Sequence, residues 1–321
     1  MKAVRIHKTG GPDVLTYEDV DLPPPAADQV RIRHTAIGVN FIDTYHRAGL
    51  YPLPMPAILG SEAAGIVDAV GENVRSVKVG DRVAYCMVRA SYAEAANIPA
   101  WNAVKLPDAI SDEVAAASLL KGLTARYLLK ATYPVKAGDT ILFHSAAGGV
   151  GLIACQWAKH LGVTVIGTVG SDDKLALARE NGCAQVLNMR KDEWVKRVRE
   201  ITNGAGVPVA YDSVGKDTFL GSLDSLAIRG MLVYFGNSSG PAPLFEPLTL
   251  SKGSFYLTRP TLAHYARNAD ELKETADDLF GTIASGAIKV QVNQRFKLAD
   301  ARAAHEALHS RNTTGATVLL P

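Results

Sequence analysis

The sequence predicts a two-domain α/β protein in which a doubly wound parallel sheet follows a β-rich region. The chain has 321 residues, beyond the roughly 100–200 of a single domain. From about residue 123 short apolar strands alternate with helical segments, the pattern of βαβ units. Between the first of these strands and the helix that follows lies a turn of small residues, Ala146-Ala147-Gly148-Gly149-Val150-Gly151.

Residues 1–7 alternate apolar and polar side chains and turn at Gly10-Gly11-Pro12, which reads as a strand and not as the apolar core of a signal peptide. Residues 29–33 alternate again, residues 64–70 run to Gly71, and residues 80–84 form another strand entered from a turn in which Gly80 takes a positive φ. Pro23, Pro24, Pro25, Pro52, Pro54 and Pro56 have no N–H to give a ladder, so they belong to surface loops or strand edges. Residues 1–122 thus read as a compact β-rich barrel. In the second region residues 140–144 are the first strand, and Val150, Ala154, Trp157, Ala158 and Leu161 recur at helical spacing until Gly162. Residues 163–169 make the second strand, and Ser171-Asp172-Asp173-Lys174 opens a helix with a capping Ser and an acidic first turn. Residues 207–212 and 231–235 are later strands, 270–285 a helix, and 316–320 a strand again.

Composition excludes several classes. With 34 Lys+Arg against 32 Asp+Glu the charge is +2, too little for a nucleic-acid-binding surface. Apolar stretches break well short of the roughly 18–20 residues that span a bilayer, so no membrane partner is expected. Cys86, Cys155 and Cys183 are odd in number and widely spaced, which argues against a disulfide framework or a zinc ribbon and for the cytoplasm.

The small-residue turn has the form A-x-G-x-x-G, and its position after a strand and before a helix is what a dinucleotide site requires. Small side chains admit a pyrophosphate whose charge rests on free helix N–H groups. NAD sites place an acid about 20 residues on, at the end of the second strand. Here that strand ends in Val169-Gly170, leaving room for a 2′-phosphate held by Ser171 and Lys174, so NADPH is the expected cofactor.

The run Gly138-Asp139-Thr140-Ile141-Leu142-Phe143-His144-Ser145-Ala146-Ala147-Gly148-Gly149-Val150-Gly151, with Gln156 and Lys159, resembles the signature of the quinone oxidoreductase (ζ-crystallin-like) branch of the zinc-free medium-chain dehydrogenase/reductase superfamily. Residues 36–45, 60–67, 211–215 and 235–240 are similar to the family's other blocks and fall in the same order. The resemblance implies a GroES-like catalytic domain, residues 1–122 plus 263–321, with a Rossmann NADPH-binding domain, residues 123–262, inserted. It implies that Phe41, Ile42, Asp43, Thr44 and Tyr45 line the nicotinamide, that Tyr127, Gly148, Gly149 and Val150 touch the cofactor, and that Gly170, Ser171 and Lys174 surround the adenosine phosphate. Ser213, Val214, Phe235, Gly236, Asn237 and Ser238 stand at later strand ends, and Arg311 closes over the cofactor. A homodimer paired through Rossmann edge strands near residues 254–258 is also implied. One position departs: after Val186-Leu187-Asn188 bacterial relatives often carry a Tyr, and this chain has Met189.

His305-Glu306-Ala307-Leu308-His309 matches H-E-x-x-H, but zinc needs a third protein ligand, so a helix with two solvated His is expected instead. Where zinc alcohol dehydrogenases use Cys and His this chain reads Asn40 and Ser61, and no catalytic metal is expected. Asn40, Tyr45 and Tyr51 are read as the catalytic donors, hydrogen-bonding a carbonyl oxygen as it gains charge. The expected reaction is hydride transfer from NADPH to a quinone in the interdomain cleft, with no side chain acting as an obligatory acid or base. An NADPH-dependent 2-alkenal or enoyl reductase and a non-enzymatic, RNA-associated NADPH-binding protein are the alternatives, the second weakened by the near-neutral charge.

Overall fold

The computed structural model describes residues 1–311 and 313–321, and its strands sort into three sheets. The chain clusters into two units: Met1–Leu123, Ala266–Ser285 and Val290–Pro321 form unit 1, and Thr124–Tyr265 with Gly286–Lys289 forms unit 2.

Unit 1 opens with β1 (Lys2–Ile6), β2 (Thr16–Asp19), β3 (Gln29–Val39), helix α1 (Phe41–Ala48), β4 (Ala57–Ile58), β5 (Glu62–Val70), β6 (Arg82–Cys86), β7 (Ala95–Pro99) and β8 (Val104–Lys105). β2-β1-β4 is a small antiparallel sheet. β3 organises the larger one, pairing antiparallel with β5 along most of its length and with β7 from Gln29 to Arg33. Val4, Ile6, Ile32, Ile37, Val67, Val83 and Ile98 fill the core between these elements. Gly80, at φ 91°, makes the turn into β6.

Two helices in this region bury residues that do not form an apolar stripe. Residues 41–48 form α1, capped at Asn40 and ended by Gly49 at φ 85°. Its buried residues are Asp43, Thr44 and Arg47, whereas the apolar residues Phe41, Ile42 and Tyr45 are only half-buried, so its buried face does not follow its apolar periodicity. Helix α2 (Asp112–Tyr127), running on into one π turn over Leu128–Thr132, buries Ala115, Ala116, Ala117, Leu119, Leu123 and Ala125, small and apolar on most sides.

Unit 2 has β9 (Thr140–Phe143), α3 (Gly149–His160), β10 (Thr164–Val169), α4 (Leu175–Glu180), β11 (Cys183–Asn188), α5 (Trp194–Ile201), β12 (Val207–Asp212), α6 (Phe219–Asp224), β13 (Leu226–Tyr234) and β14 (Tyr256–Thr258). All six strands are parallel in the order β11-β10-β9-β12-β13-β14, so chain order reverses at β9 and the ligand crevice of a doubly wound sheet lies at the carboxyl ends of its central strands. The expected helix at Ser171 starts differently. Asp172–Lys174 is a 3-10 turn before α4, and the Ser171 hydroxyl bonds the Asp173 carboxylate instead of capping a backbone N–H.

The chain then returns to unit 1 with α7 (Ala269–Ala284), β15 (Val292–Lys297), α8 (Ala301–His309) and β16 (Ala316–Leu320), and β16 pairs with β3 at residues Ile37–Val39. The expectation of two solvated His on α8 is corrected for one of them. His305 is fully buried because Arg47 and Tyr92 supply hydrogen-bond partners, whereas His309 is exposed. No helix among the described residues is long and apolar enough to cross a membrane.

Candidate active site

In unit 1 the turn from β3 into α1 presents the predicted donors. Asn40 is buried, and one N–H of its amide bonds Glu62 Oε1 at 3.0 Å. Glu62 is itself fully enclosed, accepting from Lys121 Nζ at 2.6 Å and from the Leu120 N–H at 2.7 Å. The enclosure depends on Gly38, where a Cβ would come within 2.3 Å of Glu62 Oε1 and 2.2 Å of the Ala116 carbonyl. Tyr45 and Tyr51 are half-buried with ring centroids 5.4 Å apart, edge to face, and the Tyr51 N–H bonds the Tyr45 carbonyl. Phe41 and Ile42 are half-buried beside them, and the Thr44 hydroxyl is given to the Phe41 carbonyl at 2.7 Å.

Asp43 points inward. Its carboxylate accepts from Asn40 N–H at 2.9 Å, Ser61 Oγ at 2.8 Å and Tyr92 Oη at 3.0 Å. Burial raises its pKa to about 6, against the lowering effect of these bonds and of Lys121.

In unit 2 the small-residue turn links β9 to α3. Gly148 is the N-cap, and Gly149 and Val150 are half-buried at the helix start. A Cβ at Gly151 would lie 2.3 Å from the Ser145 carbonyl and 2.7 Å from that of Ala146, so this position packs helix on strand. At the end of β10, a Cβ on Gly170 would meet nothing within 4 Å, which leaves the backbone open to a ligand next to Ser171 and Lys174. Met189 follows β11 directly alongside, its N–H on the Val169 carbonyl at 3.0 Å. The free first turn of α3, the open Gly170 and the Lys174 cation are the donor set that a dinucleotide diphosphate with an added phosphate needs.

Asp212, absent from the sequence-level site, organises the next loop. It accepts from Val214 N–H at 2.8 Å, Gly215 N–H at 3.0 Å, and the hydroxyls of Thr218 and Ser222 at 2.8 Å. His144 joins the same group through Ser222 at 2.9 Å and Thr168 at 2.8 Å, and burial lowers its pKa. Ser213 and Val214 are held against the following loop by Ser238 N–H and Ser239 N–H. Phe235 lies 6.0 Å from Phe143 between ring centroids, Gly236 packs on Ser213 where a Cβ would sit 2.7 Å from its carbonyl, and Asn237 accepts from Tyr234 Oη. The Tyr127 ring is buried and stacked on Tyr265 at 4.5 Å. Arg259 lies over the Tyr234 ring at 4.9 Å. Arg311, at φ 59°, is exposed just beyond α8 in unit 1.

Residues 26–108 match the alcohol dehydrogenase GroES-like domain and residues 149–281 the zinc-binding dehydrogenase family. A zinc site does not fit the side chains present. Asn40 gives its amide to Glu62, Ser61 gives its hydroxyl to Asp43, and among the described residues no group of three or more His, Cys, Asp or Glu is placed to hold an ion. Over its whole length the chain is 53% identical to a Pseudomonas aeruginosa quinone oxidoreductase, covering 100% of this chain and 99% of the relative. It is 46% identical to a Burkholderia 2-haloacrylate reductase, covering 99% and 98%. The structure of Escherichia coli quinone oxidoreductase complexed with NADPH superposes with a TM-score of 0.98 at 50% identity, covering 100% of both chains. The β-rich unit with its inserted six-stranded parallel sheet, and these full-length likenesses, have one reading: the chain belongs to the quinone oxidoreductase family of the medium-chain dehydrogenase/reductase superfamily.

Proposed function

We propose that this protein is an NADPH-dependent quinone reductase. The observation that carries the reading is its full-length likeness to a quinone oxidoreductase that holds NADPH, on a strand–turn–helix whose own geometry suits a pyrophosphate. When bound, NADPH supplies the hydride. Gly148, Gly149 and Val150 receive the diphosphate at the N-terminus of α3, Gly170 lets the backbone approach the ribose, and Ser171 and Lys174 bind the 2′-phosphate. Ser213, Val214, Phe235, Gly236, Asn237 and Ser238 form the wall at the later strand ends, with Tyr127 behind them. Phe41, Ile42 and Thr44 give an apolar lining from α1, Asp43 anchors that helix, and Arg311 covers the cofactor. Residues 1–122 with 263–321 are the catalytic part and 123–262 the cofactor-binding part.

A quinone oxygen that takes up a hydride's electron pair becomes phenolate-like. Tyr45, Tyr51 and the second amide N–H of Asn40 are neutral donors for that oxygen, none has to ionise, and solvent delivers the proton. Tyr45→Phe and Tyr51→Phe therefore each lower kcat/KM by about ten- to a thousandfold, the scale of one oriented donor.

Reduction of an activated C=C bond is a second reading, favoured by the likeness to a 2-haloacrylate reductase. A panel of quinones, 2-alkenals and 2-haloacrylates with NADPH consumption as readout decides. Quinone turnover well above the rest is expected, and turnover of the alkenes alone would transfer the assignment to C=C reduction.

The same proposal includes a homodimer paired through the β14 edge. This edge carries Tyr256 at 57% exposure, and Ile228 of the neighbouring strand β13 is 81% exposed. Sedimentation giving only monomer at micromolar concentration would count against it. The three buried free thiols favour the cytoplasm.

A further inference from the structure

His305 was singled out by its motif, and Asp43, Tyr92 and Arg47 are buried polar groups that the reduction itself leaves unused. They touch one another in sequence. Arg47 Nη1 lies 3.0 Å from His305 Nδ1, His305 Nε2 lies 3.0 Å from Tyr92 Oη, and Tyr92 Oη lies 3.0 Å from Asp43 Oδ2.

The direction of every bond follows from chemistry. A guanidinium only donates, so His305 Nδ1 accepts, and the neutral ring carries its proton on Nε2. That N–H is given to the Tyr92 oxygen, and the single Tyr92 proton goes to Asp43. Burial and the Arg47 charge lower the His305 pKa to about 3, as the tautomer requires. The other side of Asp43 is equally committed, to the Ser61 hydroxyl and to the backbone N–H of Asn40, the N-cap of α1. Arg47 is tied at its far side to the Gly10 carbonyl at 3.2 Å. Four segments distant in the sequence, at Gly10, Ser61, Tyr92 and His305, thus converge on one eight-residue helix. The first turn of that helix carries Asn40 and the next carries Tyr45.

We propose that Asp43 is the positioning residue of the active site, holding Asn40 and α1 in place as the negative end of a one-way hydrogen-bond chain that runs from Arg47 through His305 and Tyr92. The inference rests on the quinone-reductase reading for what the held groups do. Protonated Asp43 would carry an O–H among neighbours that all donate. Tyr92 cannot reverse, because His305 Nε2–H already faces its oxygen, so Ser61 has to turn and the bonds at the helix start are rearranged. Of the charged and titratable groups around Asp43, Tyr92 from the segment before β7 bonds it directly and Lys121 of α2, paired with Glu62 of β5, acts on its charge, while His305 of α8 and Arg47 of its own helix reach it through Tyr92. Burial raises the Asp43 carboxyl to about 6, which places loss of its charge just below neutral pH.

The test is kcat/KM for a quinone between pH 5 and 8, read beside the 13C-carboxyl titration of Asp43 in the full chain, with Asp43→Asn assigning the resonance. The expected profile rises with pH through an apparent pKa near 6. Tyr92→Phe takes one donor from the carboxylate, so both the kinetic limb and the carboxyl titration move up by about one pH unit, leaving kcat/KM at pH 6 about tenfold below the variant's plateau and about fivefold below the wild type at the same pH. His305→Gln keeps one donor and one acceptor and restores the wild-type limb, whereas His305→Leu does not. A flat profile, a rate that falls as pH rises through 6, or a Tyr92→Phe limb identical to wild type would overturn the proposal. If no quinone is reduced at any pH the functional reading fails by itself. The carboxyl titration then decides the chain: an Asp43 pKa near 4, or one unmoved by Tyr92→Phe, rejects it.

Discussion

Replacing Lys121 with Met tests whether the Asn40 amide stands on a buried ion pair. Lys121 and Glu62 have side-chain exposures of 6% and 0%, and their polar atoms are 2.6 Å apart. Met fills the volume of the alkyl stem and removes the ammonium, leaving Glu62 with the Asn40 amide at 3.0 Å and the Leu120 N–H at 2.7 Å. Breaking such a pair from one side costs about 3–5 kcal/mol, because the remaining charge stays buried without its counter-ion. In a domain of this size that lowers Tm by roughly 6–20 °C. Glu62→Gln added to Lys121→Met removes the stranded charge, but the Asn40 amide and the Leu120 N–H bond different oxygens of Glu62 and Gln keeps an acceptor for only one of them, so the double variant recovers part of the lost stability. Differential scanning calorimetry of the wild type, both single variants and the double variant gives the coupling, and kcat/KM of the double variant reads the effect on Asn40. A Lys121→Met loss below about 1 kcal/mol would mean that the pair behaves like a surface salt bridge. A double variant less stable than the single would show that the unpaired charge costs less than the donor left without an acceptor at the NH2 group that Glu62→Gln introduces.

What the sequence discloses here depends on whether a requirement is local. The turn at residues 146–151 is legible because Gly151 has to lie against two carbonyls of its own strand–turn connection. The strands of unit 2 are legible because burial on both faces gives short continuous apolar runs, as in residues 141–143 and 207–212. α1 is hidden because its inward face is polar, and that polarity is satisfied by residues up to 258 positions away, as between Arg47 and His305. The same distance explains the misreading of His305: nothing near α8 in the chain announces a buried partner. Asp212 did leave a signal, an acid closing an apolar strand immediately before Ser-Val-Gly, but only the fold shows that it gathers two backbone N–H groups and two hydroxyls.

Lys174→Ala should erode a preference for NADPH over NADH, with NADH kinetics little changed, because only the 2′-phosphate needs the cation; equal kcat/KM for the two cofactors in the wild type would refute the assignment. Gly151→Val should abolish cofactor binding or soluble expression, since its Cβ falls 2.3 Å from the Ser145 carbonyl, and a variant with normal NADPH affinity in a fluorescence titration would contradict that packing. The last expectation concerns acid stability. Burial lowers His34, which bonds the Ala93 carbonyl at 2.7 Å and Tyr85 Oη at 2.9 Å, to about 4, and burial with Arg47 lowers His305 to about 3. Both stay neutral in the fold while the unfolded chain binds protons below about pH 6.5, so their stabilisation is complete above that pH and is lost as pH falls towards the folded values. Asp43 has the opposite sign: its pKa is raised to about 6, so its contribution is present below the unfolded carboxylate value and lost as pH rises through 6. At pH 5 each histidine costs about 2 kcal/mol and Asp43 returns about 1, a net loss of about 3 kcal/mol relative to pH 7.5. Urea unfolding at the two pH values reads this as a lower midpoint at pH 5, and the fall steepens in Asp43→Asn, which keeps the histidine term and removes the offset. A midpoint at pH 5 equal to or above that at pH 7.5 would mean that His34 and His305 are not held neutral in the folded chain.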